Sequence, residues 1–277
     1  MSAKKIKDLS KCAVHTITTK PWNLETAIEK YAAAGVGGIT VWRDTLKGRD
    51  LADTGKHIKD AGLETVALVR GGFFCYSNKE ERQNAFNDNR LAIREAETIG
   101  APMVVLVCGA RPDQSLEESR KQIREGIEAV LPHAEASGVT LAIEPLHPMY
   151  ADDRSAINDM RTANEMAEYF KSDYVGIAVD VYHLWWDPCL KQEILRCGKN
   201  GNLTAFHVCD WRTPTEDFLL DRGLMGEGCI NIPEIRGWVE QAGFKGFNEV
   251  EIFSSKRWEG DQDAWLKDIT DAYLTKV

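Results

Sequence analysis

No stretch of the chain approaches the roughly 20 consecutive apolar residues that a membrane-spanning helix needs, so no membrane span is expected. Basic charge is also in short supply. Lysine and arginine total 34 against 43 aspartates and glutamates, a net charge of −9. A nucleic-acid or anionic-membrane surface requires basic patches, and neither partner is expected here. The seven cysteines contain no C-x-x-C pair and are odd in number, which excludes a simple disulfide framework and suits free thiols in a reducing cytoplasm. The N-terminal MSAKKIKDLSK is basic with no apolar stretch behind it, so it does not read as a signal peptide, and the expected location is cytoplasmic. No linker or low-complexity segment divides the chain, which reads as one domain over residues 1–277. No glycine-rich phosphate fingerprint follows the first strand-like segment, which argues against an open doubly wound sheet.

What is present is a repeated unit. An alanine-rich turn and a glycine lead into a β-rich segment at AAGVGGITV, DAGLETVALV, TIGAPMVVLV, ASGVTLAIE and AGFKGFNEVEI. Strand-like segments fall at 11–19, 37–44, 64–71, 102–108, 139–145, 175–181, 203–210 and 247–253, with helical segments between them, including 79–99, 115–137 and 155–171. Eight alternating units of roughly 35 residues match the size of a (β/α)8 TIM barrel, the expected fold.

A barrel gathers function at the carboxyl ends of its strands. In VGIAVDVYHLWWDP (175–188), Val175, Ile177 and Val179 alternate with Gly176, Ala178 and Asp180, which puts Asp180 on the inward face where the strand ends. The same alternation turns Glu144 inward at the end of VTLAIEP, His207 in LTAFHVCD, and Glu249 and Glu251 in FNEVEIF. Three carboxylates and an imidazole converging near the top of one barrel repel unless a cation lies among them. Glu144, Asp180, His207 and Glu251 are therefore the expected ligands of one divalent metal ion. Oxygen-rich ligands favour Mn²⁺ or Mg²⁺, with Co²⁺ and Zn²⁺ also admitted. Glu249 lies one inward layer lower and is expected to meet a basic residue in the core.

The segments LAIEPLHP, VGIAVDVYH, FHVCDW and EVEIF resemble the metal-binding strand ends of the xylose-isomerase-like barrels, the superfamily of sugar isomerases and epimerases that includes ketohexose 3-epimerases and inosose isomerases. The resemblance runs through nearly the whole chain and is most specific in the last four strands. It implies the same four metal ligands. It implies that His183, three residues after Asp180, reaches a substrate oxygen, and that Arg212 contacts substrate. It implies further that GLMGEGCINIPEI, after strand seven, closes over the ligand. The three-zinc endonucleases of the same superfamily need further histidines; here strand three ends in Val69–Arg70–Gly71 and strand four in Val107–Cys108–Gly109, so that activity is not expected.

Other positions keep two readings. His15 points inward and either lines the pocket or is a satisfied core histidine. His147 lies on the rim. Arg154, in YADDRS, either faces the site or pairs with Asp152 or Asp153. Arg70 is either an anchor for a carboxylate or phosphate or a structural ion pair. Trp42, Trp185, Trp186 and Trp211 lie at strand ends, where aromatic rings either wall a sugar pocket or pack loops. His57 and His133 fall on helices as surface or packing residues.

The expected activity is isomerisation or epimerisation of a small, unphosphorylated sugar or cyclitol ketone through a metal-stabilised enediolate, with Glu144 and Glu251 as the proton-transfer pair. The alternatives are a metal-dependent decarboxylase or lyase of a 3-oxo sugar acid and a non-catalytic sugar-binding barrel. Self-association as a homo-oligomer stays open.

Overall fold

Short β-branched runs alternating with amphipathic stretches fold as alternating strands and helices in a computed structural model that describes residues 5–277; the first four residues of the basic N-terminal segment lie outside the described residues. β1 (Cys12–His15) is followed by α1 (Leu24–Ala33), β2 (Gly38–Trp42) by α2 (Leu51–Asp60), β3 (Glu64–Gly72) by α3 (Lys79–Ile99), β4 (Met103–Val107) by α4 (Leu116–Ser137), and β5 (Thr140–Glu144) by α5 (Met160–Phe170). β6 (Val175–Asp180) runs directly into α6 (Val181–Leu184) and then α7 (Leu190–Lys199). After β7 (Leu203–Val208), β8 (Asp210–Trp211) and β9 (Arg222–Gly223) form an antiparallel pair ahead of α8 (Ile232–Gln241). β10 (Asn248–Val250), α9 (Ser255–Trp258) and α10 (Gln262–Lys276) complete the order. The sheet closes on itself in the order β1-β10-β7-β6-β5-β4-β3-β2, a (β/α)8 barrel.

The chemistry of the helix ends explains the alternation. Asn23, Asp50, Asn78, Ser115 and Asp159 each accept a backbone N–H at the start of α1 to α5, satisfying donors that a helix leaves open. Gly100 and Gly138 close the two long helices α3 and α4 with φ of 79° and 65°, a left-handed turn that glycine adopts without strain.

Period-two alternation builds two shells. Val104, Leu106, Leu141, Ile143, Ile177, Val179, Phe206 and Val208 face outward and pack under the helices. Ala67, Val69, Val105, Ala142, Ala178 and Ala205 fill the barrel interior. Four of those six are alanines, so the floor beneath the strand ends is made of small side chains. The register sets the polar residues above it side by side: Val107 pairs with Glu144, Asp180 with His207, and His207 with Glu249.

Most boundaries shift by one or two residues from the sequence expectation, and three shift further. The segment expected as strand 11–19 ends at His15 and continues as a 3₁₀ turn, Thr16–Thr19. Thr16 Oγ1 accepts the Trp42 N–H at 3.0 Å, while Thr18 Oγ1 accepts the Ile252 N–H at 3.0 Å and donates to the Val250 carbonyl at 3.1 Å. Threonine hydroxyls thus take over bonds a strand backbone would make. The same exchange shortens the segment expected at 247–253 to Asn248–Val250. The helix expected from 155 begins at Met160, because Asp159 caps it and Asn158 ties back to the carbonyls of Leu146 and Ser155.

Candidate active site

Each acidic group arrives at the barrel mouth by a different route. Glu144 is the last residue of β5, and its Oε1 lies 2.9 Å from His207 Nδ1. Asp180 ends β6 and caps α6, its Oδ1 accepting the Tyr182 N–H at 2.7 Å. Glu251 lies one residue beyond β10, its backbone N–H bonded to the Val208 carbonyl at 3.2 Å. Ligand atoms of Glu144, Asp180, His207 and Glu251 all fall within 4.8 Å of one another, and all four residues are buried.

A fixed cation already touches this group. Arg222, at the start of β9, donates from Nη1 to Glu251 Oε2 at 2.7 Å and to Asp180 Oδ2 at 3.2 Å. Its guanidinium lies between the rings of Tyr182 and Phe253, 4.4 and 4.9 Å from their centroids. Its Nη2 is 3.2 Å from His183 Nε2. His183 Nδ1 accepts the His147 backbone N–H at 3.2 Å, which leaves the ring proton on Nε2. Two donors therefore lie in contact, and an oxygen approaching both from the side would accept from each.

Below the mouth lies a second polar layer. His15 Nδ1 is 3.0 Å from Glu251 Oε1, and Glu249 Oε2 is 3.5 Å from His15 Nε2, 3.9 Å from His207 Nε2 and 2.6 Å from the Thr40 hydroxyl that donates to it. The basic partners expected for Glu249 are thus two histidines.

Burial sets the protonation. Desolvation pushes the Asp180 carboxyl up to about 7 although Arg222 opposes the shift. Burial alone would lower His207, but the Glu144 hydrogen bond and the charges of Glu249 and Glu144 raise it to about 10. Glu251 would likewise rise on burial, yet His15 and Arg222 hold it well below the usual carboxylate range. His183 is driven well below its ordinary value, first by burial and then by Arg222, and is neutral.

These values test whether a metal fits. Four buried carboxylates share the space with one arginine, and protons on Asp180 and His207 make up positive charge that the side chains lack. Nε2 of both His15 and His207 has no hydrogen-bond partner. The donor set of three carboxylates and an imidazole suits a divalent cation of the Mn²⁺ or Mg²⁺ kind, and Zn²⁺ or Co²⁺ as well. With Nδ1 turned toward Glu144, His207 presents Nε2 to Glu249, the arrangement by which an outer acid orients a ligating imidazole.

The sequence profile of the xylose isomerase-like TIM barrels matches residues 28–271. The chain belongs to that family. No curated protein matches it at the sequence level. Among solved structures, protein SMc04130 from Sinorhizobium meliloti 1021 is 40% identical, covering 97% of this chain and 99% of its own, with a TM-score of 0.94. The IOLI protein with a binding zinc atom shares 20% identity over 95% of this chain and 96% of its own, at a TM-score of 0.82. D-psicose 3-epimerase, solved in the presence of D-fructose, shares 16% over 95% and 96%, at 0.77.

In this xylose isomerase-like barrel the other expected contacts divide. Trp42, Arg154, His183, Glu144 and Glu251 line one cavity of about 40 Å³ with Arg70 and Arg222. His15 is wholly buried beneath it, and the Trp42 indole N–H lies 3.3 Å from its Nδ1. Arg212 pairs with Asp221 and lines a neighbouring cleft instead. Trp185 and Trp211 pack against each other, and Trp211 stacks on Tyr182. Trp186 donates to the His183 carbonyl at 2.8 Å. These three tryptophans brace loops.

Sequence reasoning missed Arg222 and a strap over the cavity, where the Tyr150 and Tyr182 hydroxyls donate to the Phe218 carbonyl at 2.9 and 2.7 Å. The available signal for Arg222 was its place directly before GLMGEG, the segment expected to close over the ligand. That segment is clamped: Asp210 accepts from the N–H groups of Gly226 and Ile230 at 2.9 and 3.0 Å, and a side chain at Gly228 would strike the Trp211 carbonyl.

Proposed function

We propose that this chain is a divalent-metal-dependent isomerase or epimerase of a small sugar or cyclitol ketone. The observation that carries this reading is the buried four-residue ligand set at the carboxyl ends of the strands. Glu144, Asp180, His207 and Glu251 would hold the cation, which when bound polarises a ketone and its neighbouring hydroxyl and makes the adjacent C–H more acidic. Glu144 and Glu251 exchange the proton at that carbon. Two strands, β6 and β7, separate theirs in the barrel order, so the two carboxylates approach a bound molecule from different directions. Return of the proton by the second carboxylate inverts a centre, whereas return by the first to the neighbouring carbon moves the carbonyl. His15 and Arg222 hold Glu251 ionised, and neutral His183 with Arg222 offers N–H groups to a substrate oxygen. Tyr150 and Trp42 wall the cavity, and the Tyr150 and Tyr182 hydroxyls hold the Phe218 carbonyl beside it.

The test is incubation of Mn²⁺-loaded protein with ketoses, inososes and 3-oxo sugar acids in D₂O. Deuterium entering the carbon beside the carbonyl without CO₂ release is the expected result. A carboxy-lyase reaction is the second reading, favoured by Arg70 and Arg154 in the cavity wall; stoichiometric CO₂ from an oxo acid would select it. Absence of both across the panel would refute the two enzymatic readings.

A further inference from the structure

Arginines in this protein are generally given acids. Arg43, just past β2, takes Asp88 at 2.9 Å and Glu95 at 2.6 Å, and Arg222 takes Asp180 and Glu251. Arg70 is the exception in the cavity wall. It follows Val69 on β3, is half-buried, and stacks 4.5 Å from the centroid of the Phe73 ring. Among the described residues no carboxylate lies within ion-pair distance of its guanidinium, and no hydrogen-bond acceptor meets it. Its backbone is firmly held: the Arg70 carbonyl accepts from Arg43 at 3.3 Å, and Asn89 accepts the Gly72 N–H at 2.6 Å. A second guanidinium lines the same cavity. Arg154 stands 5.3 Å from the centroid of the Tyr150 ring, and its one ion pair is to its exposed neighbour Asp153 at 3.8 Å.

The protein therefore holds two cations without a buried acid partner in a cavity wall that also carries Glu144, Glu251, His183 and Arg222. Burial and the Arg154 charge both depress the Arg70 pKa, with the charges of Glu144, Glu251 and Asp44 opposing only in part. Holding a cation partly desolvated and beside a like charge is unfavourable unless an anion joins them. The guanidinium fork matches a planar carboxylate, donating to its two oxygens through paired N–H groups. Phosphate sites typically add backbone amides from a helix N-terminus or a glycine turn. This cavity has neither: no glycine, serine, threonine or lysine lines it.

We infer that Arg70 and Arg154 anchor a carboxylate on the substrate, so that the substrate class is a keto-sugar or keto-cyclitol acid and not a neutral ketose. This rests on the reading above for the reacting groups of the cavity and adds the charge that the substrate carries.

Three matched probes test it by calorimetric titration into the Mn²⁺-loaded full chain: D-fructuronate, D-fructose and D-fructose 6-phosphate. Fructuronate is expected to bind at least about tenfold more tightly than fructose, the scale of a hydrogen bond to a charged group. Arg70→Met and Arg154→Met should each erase most of that preference, weakening fructuronate binding far more than fructose binding, and Arg70→Lys should restore part of it. Unaltered Mn²⁺ affinity in the variants checks that they are folded with the cation site intact. Equal affinity for fructuronate and fructose, no binding of fructuronate, or full retention of the preference in Arg70→Met overturns the anchor. Tighter, Arg70-dependent binding of the phosphate ester overturns the carboxylate assignment. Binding is read without turnover, so a failed isomerase reading leaves this result standing, and a failed anchor leaves the D₂O experiment untouched.

Discussion

Replacing Arg222 with methionine isolates what one buried charge does in this site. Methionine retains much of the stem volume between Tyr182 and Phe253, so the loss is mainly electrostatic and not a cavity effect. The change strips Asp180 and Glu251 of a donor 3.2 and 2.7 Å away. Removing one partner of a buried pair typically costs about 3–5 kcal/mol, because the remaining charge stays out of water. Asp180 can escape by taking a proton, since its carboxyl is pushed up to about 7 even with Arg222 present. The measurement therefore belongs at pH 8, where protonation gives less relief. In chelator, the melting temperature should fall by about 6–20 °C, from about 2–4 °C per kcal/mol for a chain of this size. Saturating Mn²⁺ should recover part of the loss, because a divalent cation supplies the missing charge. A tenfold tighter metal site alone would add about 1.4 kcal/mol. Differential scanning fluorimetry and urea titration, each with and without Mn²⁺, read both effects. An Arg222→Met protein as stable as wild type in chelator, or a deficit that Mn²⁺ leaves undiminished, would show that Arg222 does not balance these carboxylates.

Glu144→Gln and Glu251→Gln should each reduce turnover by at least about 10²-fold, the scale of lost general-base catalysis; near-normal turnover in either would move the proton acceptor elsewhere. Glu249→Gln should weaken Mn²⁺ binding by about 10–100-fold in a folded protein, because Glu249 is the acid facing His207 Nε2, and an unchanged titration would remove it from that role. Metal affinity should rise with pH. With Asp180 near 7 and His207 near 10, both carry protons that a cation displaces below about pH 7, and only His207 does above it. Affinity should thus climb about a hundredfold per pH unit below about 7 and about tenfold above it, and a flat profile from pH 6 to 8 would contradict the charge balance.

The barrel and its acidic mouth were legible because both depend on period-two alternation. A strand that turns Ala178 inward must turn Asp180 inward too, and the same count places Glu144, His207 and Glu251 without knowledge of the fold's details. Arg222 was not legible for the opposite reason. It enters from a loop fifteen positions past His207, where no periodicity constrains direction, and Arg212, nearer in the chain, drew attention instead. Arg212 turns to Asp221, leaving its place to a residue brought in by the β8–β9 pairing. The shortened first and last barrel strands have a different cause. Threonine favours strands by shape, but its hydroxyl can also replace a backbone partner, and at Thr16 and Thr18 the hydroxyl prevailed. His183 was expected at the site on resemblance. Its proton position depends on the His147 backbone N–H, a contact between loops that no local pattern encodes.

The claim on which the rest depends is that Glu144, Asp180, His207 and Glu251 hold one divalent cation. Its most direct test is metal analysis by mass spectrometry of the wild-type chain and of Asp180→Ala and His207→Ala, each loaded with Mn²⁺, dialysed, and checked for fold by circular dichroism. One equivalent is expected in the wild type and essentially none in either folded variant. Full occupancy in both variants, or no retained divalent ion in the wild type, would contradict it.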